Sequence, residues 1–468
     1  MKLKVENFGP ISHADIEIKP LTVLIGKNNA GKSMLAQLIY TLMTFMFVKV
    51  PYARTKRLFI SVMFPFRHEI YHYLQKKIKE VKEVTSHSYV EMILDITIDR
   101  LTQILNETLK DELEKNFAIS LNNLINLYSD YAKVECIYSN YLTMIFTITR
   151  DGNLCVILNV KMRRELIDSI LKDGKIKALI DRTLRSRTTN ITNVINVILV
   201  EEMIEKIVKL LFPKRSLLPT LYIPAGRAGL LEGYEAVSSA LISLSPIAPL
   251  RGISMPPIPG MASEFYSLLL QLRGEKGPFE KILDAFKELI EGDIVFEKLE
   301  LPPGKSKLIY KFKFKDKEFS IDLIHAASMV KELSPIYLVL RELVNKGCLL
   351  IIEEPESHLH PAAQIKLMEI FAKLINEELG ILITTHSDIL LRKLAHLVME
   401  GLTRGRTNAN LKPEDVAVYL LKPDEKGYVT QEVNILEEMP SFDEVIEQLY
   451  EEEKNLYYLS LQNQKGNE

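Results

Sequence analysis

The residues with the clearest chemical role form a glycine-rich loop that matches the pattern G-x-x-x-x-G-K-[ST]. They follow one another along the chain: Gly26, Lys27, Asn28, Asn29, Ala30, Gly31, Lys32 and Ser33. In such a loop, backbone N–H groups surround phosphates, and the glycines allow backbone conformations that side chains obstruct. We expect Lys32 to reach the β- and γ-phosphates and Ser33 to bind Mg²⁺. The loop predicts a nucleoside triphosphate site, with a chance glycine turn as the alternative.

Two carboxylates end an apolar run elsewhere in the chain. Glu353 and Glu354 follow four apolar residues, 349–352, which is typical of a buried parallel strand. Ligands bind at the carboxyl ends of such strands. We therefore expect Glu353 to hold Mg²⁺, directly or through water, and Glu354 to accept a proton from the water that attacks the γ-phosphate. An acidic loop without chemistry is the alternative.

A histidine ends the next predicted strand. The run 381–385 is followed by His386, and we expect this strand to pair beside the acidic one. A neutral imidazole there can donate a hydrogen bond to the γ-phosphate and respond to its loss. A purely structural histidine is the alternative.

A serine precedes a long helical pattern that leads into the acidic strand. Ser328 is predicted to cap the N-terminus of a helix that runs through about residue 344, with Pro335 kinking or restarting it. An exposed helix N-terminus can bind phosphate, in this case from a second copy of the chain.

These residues need a sheet and a helix to position them. Apolar and polar residues alternate over 2–8 and 14–18, which predicts two antiparallel strands. The apolar run 21–25 predicts the strand that delivers the loop, and 33–40 predicts the helix that follows it. The apolar segment 217–223 predicts a return to the same sheet.

A long region of different character separates these segments. We interpret 49–218 as a mainly helical insertion that carries one β-hairpin, since Asp151-Gly152 lies between two alternating strands. The basic run 75–82 is typical of a solvated helix face. Arg182, Arg185 and Arg187 form a cluster that either contacts phosphates or lies on a plain surface loop.

The C-terminal region contains further strands. Alternating patterns predict strands at 294–301, 307–314 and 319–323, and a last hairpin is predicted at 416–433. The segment 442–457 has the pattern of an acidic amphipathic helix.

Composition excludes several classes of protein. The 468 residues carry a net charge of −2, so no overall field attracts nucleic acid. The three cysteines lack metal-ligand spacing. The beginning of the chain alternates like a strand and no run is long enough for a membrane span, so we expect a cytoplasmic protein without a membrane partner.

Together these segments resemble the ABC-type ATPases of DNA repair and chromosome maintenance. They are more closely similar to AAA family ATPases related to the overcoming-lysogenization-defect (OLD) and RecF-like proteins. The resemblance covers about 1–50 and 217–440. Its carriers are Asn7-Phe8-Gly9-Pro10-Ile11, Gly26 to Ser33, Ile223-Pro224-Ala225-Gly226-Arg227, Glu353 to Pro361 and Thr384-Thr385-His386-Ser387.

The resemblance implies an α/β fold, a P-loop NTPase of the ABC-ATPase type with a two-lobed nucleotide-binding head. The head would comprise 1–48 and 219–468, interrupted by the insertion 49–218. ATP and Mg²⁺ would be its cofactors, and a homodimer would form on ATP binding. Ser328 would contact the γ-phosphate of the opposing head in trans.

The resemblance also implies roles for residues near the site. The segment 358–361 would lie at the dimer seam. Arg227 would either sense phosphate or form a structural salt bridge. The family has a glycine at the position of Met329, so we expect slow or partner-dependent hydrolysis. No Asp-x-Asp pair follows His386, so we expect this chain to carry no Toprim nuclease domain of the OLD type.

The favoured function is a Mg²⁺-dependent ATPase that dimerises on ATP as a switch, in nucleic-acid transactions or prokaryotic defence. A nuclease or another effector protein is a candidate partner, and nucleic acid is a candidate ligand. The alternatives are the nucleotide-binding subunit of a transporter and an ATP-binding scaffold with little turnover.

Overall fold

The structure is a computed structural model. It describes residues 1–44, 85–185, 190–211, 219–234, 258, 260–272, 274, 277–298, 306–405, 407, 409–437 and 450–457. The basic run 75–82 and Arg187 lie outside the described residues, and so do the interpretations placed on them. Of the segment 442–457, residues 450–457 are described, and they are helical and exposed.

Ten main helices lie in the described part of the chain. They are α1 (Lys32–Thr44), α2 (Ser86–Phe117), α3 (Arg163–Leu171), α4 (Gly174–Arg185), α5 (Asn190–Leu211), α6 (Gly260–Gln271), α7 (Glu280–Leu289), α8 (Ser328–Glu342), α9 (Pro361–Asn376) and α10 (Asp388–Arg404). None of these helices has the length and apolar character that a membrane span requires.

The described strands form two sheets. They are β1 (Lys2–Phe8), β2 (Ile11–Glu17), β3 (Leu21–Gly26), β4 (Tyr131–Ile137), β5 (Leu142–Thr149), β6 (Leu154–Val160), β7 (Thr220–Ile223), β8 (Gly292–Lys298), β9 (Ser306–Phe314), β10 (Lys317–Asp322), β11 (Leu349–Glu353), β12 (Gly380–Thr385), β13 (Val416–Asp424) and β14 (Gly427–Glu432). The large sheet has the order β6-β5-β4-β1-β2-β14-β13-β3-β12-β11-β7, and the small sheet has the order β10-β9-β8.

The part of the large sheet that carries the candidate site is parallel. Strand β3 pairs in parallel with β12 and β13, and β11 pairs in parallel with β12 and β7. Every residue of β3 and β11 is buried. This is what the continuous apolar runs predict, because both faces of such strands are covered. The predicted pairing of the acidic strand with the strand before His386 is confirmed.

Successive residues of these strands enter two different cores. Leu24 packs in a core with α1 and α2, whereas Val23 and Ile25 pack in a core with α7 to α10. Ile351 and Ile352 divide between the two cores in the same way. Alternate side chains of a strand point to opposite faces, so each face of the sheet holds one core.

The hairpin predicted inside the insertion forms, but it is not a separate unit. Strands β5 and β6 pair around Asp151-Gly152, and β4 joins them to β1 with Val5 opposite Val134. The sequence did not predict β4, whose pairing partner lies far away along the chain. The hairpin therefore extends the sheet that carries the phosphate loop. The boundaries 1–48, 49–218 and 219–468 stay predictions.

Two local features differ from the sequence predictions. Helix α8 continues through Pro335 and does not restart there, while a kink at Pro335 stays a prediction; Ser334 donates a hydrogen bond from Oγ to the carbonyl of Lys331 at 3.1 Å. That carbonyl is the one Pro335 leaves without an N–H donor. Arg182 and Arg185 lie at the end of α4 and not on a loop.

Candidate active site

The phosphate loop connects β3 to α1 and is shaped by its two glycines. Gly26 has φ 149° and Gly31 has φ 94°, which L-residues with side chains rarely adopt. A Cβ on Gly26 would lie 2.9 Å from the carbonyl oxygen of Leu421, and one on Gly31 would lie 2.9 Å from Cγ of Pro10. The loop is thus held closely between β13 and the β1–β2 turn.

Lys32 closes the loop from inside. Its side chain is buried, and Nζ donates hydrogen bonds to the carbonyl oxygens of Gly26 at 3.1 Å and Lys27 at 3.0 Å. Burial lowers the pKa of Lys32, and the carboxylates of Glu354, Glu356 and Glu353 oppose that shift. These carbonyl contacts keep the ammonium at the position from which it can reach a phosphate.

The remaining loop residues divide by exposure. Lys27, Asn28 and Asn29 are exposed, whereas Ala30 is buried and Ser33 is half-buried in the first turn of α1. Exposed backbone next to a helix N-terminus is the arrangement that binds an anionic phosphate chain.

Glu353 ends β11 with a buried carboxylate that two groups hold in place. The Tyr222 hydroxyl donates to Oε1 at 2.5 Å, and the backbone N–H of Ala225 donates to Oε2 at 3.0 Å. Burial, followed by the charge of Glu353, raises the pKa of Tyr222 well above its ordinary value, so the phenol stays a donor. Sequence reasoning missed Tyr222; the available signal was a single phenol in the apolar segment 217–223.

Glu354 and His386 lie together as predicted. His386 Nε2 is 3.7 Å from Glu354 Oε1. Glu354 has φ 41°, and its N–H donates to the carbonyl of Thr384 at 2.9 Å, which turns its side chain at the strand end. Burial first, and then the charge of Lys32, lowers the pKa of His386. The imidazole is therefore neutral at pH 7.

A third carboxylate, Glu356, was also missed. Its Oε1 accepts from the Thr385 hydroxyl at 2.6 Å and from the backbone N–H of His386 at 2.8 Å. Burial raises its pKa, and within the described residues its Oε2 has no hydrogen-bond partner. The signal in the sequence was the spacing Glu353-Glu354-Pro355-Glu356. The contacts show that Glu356 positions the end of β12.

Arg227 makes several buried contacts in this chain. Its side chain is fully buried, and it forms an ion pair with Glu332, Nε to Oε2 at 3.0 Å. It also donates to the carbonyl oxygens of Glu353 at 2.6 Å and Glu354 at 3.0 Å. Of the two roles considered for Arg227, the contacts support the salt bridge, and they tie the acidic strand end to α8.

Ser328 differs from the prediction in one respect. It is the first residue of α8, whereas Ala327 is the N-cap and has no side-chain cap. The helix begins one residue earlier than a capping Ser328 requires. Ser328 is exposed and Met329 is half-buried. Contact of Ser328 with a second copy stays a prediction.

The segment 358–361, which was predicted to lie at a dimer seam, leads into helix α9. His358 has φ 61°, and His360 caps α9 by accepting the N–H of Ala362 on Nδ1 at 3.3 Å. His358 and His360 are both exposed.

The oxygens near the loop fit a magnesium ion. Magnesium is bound by one or two protein oxygens, waters and phosphates, not by a protein cage. Ser33 offers a hydroxyl and Glu353 a carboxylate whose oxygens keep free lone pairs beside the hydrogen bonds from Tyr222 and Ala225. Lys32, Glu354 and His386 interact electrostatically, so both halves of the predicted site meet at one edge of the sheet.

Two family models match the sequence. Residues 1–151 match an AAA ATPase domain, and residues 284–392 match an AAA domain described as a putative AbiEii toxin of a type IV toxin–antitoxin system. The chain therefore carries AAA-type ATPase sequence. The first match runs from β1 through β5 and includes the phosphate loop, and the second includes the acidic strand and His386. The predicted α/β P-loop fold is confirmed. No curated protein matches the chain.

Solved structures of SMC head domains are similar to the chain. The head from Thermotoga maritima is 10% identical with a TM-score of 0.37, and the match covers 92% of this chain and 98% of that one. A head from Pyrococcus yayanosii is 11% identical with a TM-score of 0.39, covering 96% and 99%. A head from Pyrococcus furiosus bound to the C-terminal domain of ScpA is 13% identical with a TM-score of 0.36, covering 96% and 98%.

Proposed function

We propose that this chain is a Mg²⁺-dependent ATPase that dimerises on ATP and acts as a conformational switch. The observation that supports this most is the position of Glu354, beside His386 at 3.7 Å and within the electrostatic reach of Lys32. A general base, a neutral imidazole and a phosphate-binding lysine at one sheet edge are the groups that hydrolysis of a γ-phosphate needs.

Each residue has a defined task in this proposal. Lys32 exchanges its two carbonyl contacts for β- and γ-phosphate oxygens. Glu354 accepts a proton from the attacking water on its carboxylate. His386, neutral because its pKa is lowered by burial, donates to a γ-phosphate oxygen. Ser33 and Glu353 would hold Mg²⁺, which supplies charge neutralisation at the phosphates when bound. Preference for adenine rests on the family resemblance.

The dimer is supported by what lies at the surface. Ser328 is exposed at the N-terminus of α8, where a helix dipole can meet a phosphate of a second copy. His358 and His360 are exposed after the acidic strand, as residues at a seam between copies would be before association. Met329 occupies the position next to Ser328, and its side chain limits close approach, so we expect slow or partner-dependent turnover.

The biological setting is part of the proposal. The description of the family matched at 284–392, a putative toxin of a toxin–antitoxin system, supports prokaryotic defence. The resemblance to OLD and RecF-like ATPases supports nucleic-acid transactions with a nuclease or another effector as partner. Proteins that co-purify with the chain in the presence of ATP and Mg²⁺ would identify that partner.

The test compares turnover with assembly in one variant. Glu354→Gln keeps the shape of the side chain and removes the base, so it should retain ATP-dependent dimerisation in light scattering while phosphate release falls by at least about 100-fold. Glu378→Gln is the matched control, because Glu378 is an exposed glutamate with a left-handed φ of 66° outside the site. Full ATPase activity in Glu354→Gln would overturn the catalytic assignment.

A second candidate, an ATP-binding scaffold with little turnover, is favoured by Met329 alone. ATP binding and dimerisation with phosphate release near background in the unaltered chain would support it. Replacing Met329 by Gly then separates the two candidates: turnover that rises in Met329→Gly identifies a slowed ATPase, and turnover that stays at background identifies a scaffold.

A further inference from the structure

The small sheet carries an unusual alternation of lysines and aromatic residues. Residues 306–322, which form β9, its turn and β10, contain five lysines and three acidic residues in a chain whose net charge is −2. The segment 311–315 reads Lys-Phe-Lys-Phe-Lys. This local positive charge is not explained by the ATPase site.

The aromatic side chains form a ladder on one face of the hairpin. Tyr310 stacks on Phe312 with ring centroids 5.1 Å apart and planes at 15°, and Phe312 stacks on Phe319 of β10 at 5.5 Å and 19°. Phe314 lies on the same face, because alternate residues of β9 share one face and Phe314 pairs with Lys317.

The side chains of this aromatic ladder become more exposed toward the turn between β9 and β10. Tyr310 is buried and donates its hydroxyl to the carbonyl of Ile290 at 2.6 Å, whereas Phe319 is 41% and Phe314 is 60% exposed. The inner rings are therefore fixed by packing, and the outer two present aromatic surface to solvent. Exposed rings on a rigid strand lose little conformational entropy when a ligand stacks on them.

Positive charge surrounds these exposed rings. Lys315 lies in the turn with its ammonium 5.5 Å from the centroid of the Phe314 ring. Lys317 begins β10 opposite Phe314. Asp316 and Glu318 lie nearby, but Glu318 pairs with Lys313 on the other face at 3.1 Å. The ring face is thus bordered by two lysines on its own side.

We propose that this tip of the β9–β10 hairpin binds single-stranded nucleic acid. Bases stack on Phe314 and Phe319, and the ammonium groups of Lys315 and Lys317 contact the phosphates between them. Proteins that bind single strands without sequence preference stack the bases on aromatic side chains and place positive charge along the phosphate backbone. A duplex hides its base faces, so the exposed rings favour a single strand. This inference rests on the nucleic-acid part of the proposed function and gives it a location.

The test is fluorescence anisotropy with labelled 20-nucleotide oligo-dT, oligo-rU and a duplex of equal length, without ATP. We expect both single strands to bind more tightly than the duplex. Replacing either Phe314 or Phe319 by Ala should weaken single-strand binding by between about 5-fold and 150-fold for each ring, and the double variant should lose more. Tyr128→Ala is the matched control, because Tyr128 is an aromatic residue 71% exposed on a different loop, and this change should have no effect.

A charge series gives an independent readout. Changing Lys315 and Lys317 to Gln removes two phosphate contacts, which should reduce the slope of log affinity against log salt by about 1.4. Changing Lys161 and Lys172, which are exposed elsewhere, to Gln should leave the slope unchanged. Replacing Arg182, Arg185 and Arg187 by Ala tests whether this arginine cluster, and not the hairpin tip, binds the nucleic acid.

Three results would overturn the inference. They are no oligonucleotide binding at low salt, binding lost only in the arginine variant, and phenylalanine variants that change self-association in light scattering but not oligonucleotide binding. Because ATP is omitted, the oligonucleotide-binding result can be interpreted even if the ATPase proposal fails.

Discussion

Tyr222 and Glu353, on neighbouring strands β7 and β11, are joined by a hydrogen bond of 2.5 Å from the phenol to the carboxylate. The second carboxylate oxygen of Glu353 accepts the N–H of Ala225 at 3.0 Å. A metal ligand held from behind by two donors keeps its orientation before any metal arrives. The tyrosine therefore has a positioning role that can be separated from chemistry.

Replacing Tyr222 by Phe should weaken the affinity of the site for magnesium before it affects base catalysis. Loss of a partner behind a ligand lowers metal affinity by roughly 10-fold or more. We expect the Mg²⁺ concentration for half-maximal ATPase activity to rise by that factor, with much of the maximal rate recovered at high Mg²⁺. Tyr419→Phe is the control, since Tyr419 is a buried tyrosine of the same sheet whose hydroxyl hydrogen-bonds the backbone of Glu17.

A purely structural role for Tyr222 predicts a different outcome. Both variants would then lose about 1 kcal/mol of unfolding free energy, and the magnesium titrations would coincide. If Tyr222→Phe and Tyr419→Phe require the same Mg²⁺ concentration for half-maximal activity, Tyr222 has no positioning role.

Replacing Lys32 by Ala should abolish tight nucleotide binding. The lysine lies inside the loop with its ammonium on the carbonyls of Gly26 and Lys27, from where it reaches the phosphates. We expect the affinity for a fluorescent ATP analogue to fall roughly 10- to 100-fold, the value of a charge-assisted hydrogen bond. Lys27→Ala, in the same loop but exposed, should change affinity less than about fivefold. Equal losses in both variants would contradict the assignment of Lys32.

The local parts of this site were predictable from sequence and the partners across the sheet were not. The loop, Glu353, Glu354 and His386 each follow an apolar run, and the end of a buried strand is visible as a change of residue type. Tyr222 and Glu353 are 131 positions apart. Strand β4 pairs with β1 across a similar distance. Periodicity reports which face of a strand is buried but not which strand lies beside it, so these contacts needed the fold.

Glu356 should make stability depend on pH in a defined direction. Burial raises the pKa of its carboxyl above the ordinary value of about 4.5, although the hydrogen bonds from Thr385 and His386 oppose the shift. The native state then binds this proton more strongly than the unfolded chain, so the stability from Glu356 is full below about pH 4.5 and is lost as pH rises through the native pKa. Gln has no titratable carboxyl group, so Glu356→Gln lacks this pH-dependent contribution to stability.

Thermal unfolding of the wild type and Glu356→Gln from pH 4.5 to 7.5 checks this sign. The melting temperature of the wild type minus that of the variant should fall as pH rises. His386, whose pKa is lowered and whose effect has the opposite sign, is present in both proteins and cancels in the difference. A difference that stays constant or rises with pH would show that the Glu356 carboxyl is not buried as described.

Arg227→Ala should be among the most damaging single changes in the chain. Both members of the pair with Glu332 are buried, with side-chain exposures of 0% and 2%. Removing one partner leaves an uncompensated buried charge, which typically costs about 3–5 kcal/mol of unfolding free energy. The change also removes the donors on the carbonyls of Glu353 and Glu354, so activity should fall even where the chain stays folded.

Lys2→Ala is the matched control for this ion pair. Lys2 pairs with Glu17 at 3.1 Å, but both side chains are about half exposed, at 54% and 47%. An exposed pair contributes no more than about 1 kcal/mol, because water screens it and its side chains lose entropy on pairing. Chemical denaturation of the two variants should therefore separate them by at least about 2 kcal/mol. Similar losses of unfolding free energy in both variants would mean that the Arg227 side chain reaches solvent and is able to contact a phosphate. The phosphate-sensing role would then replace the structural one.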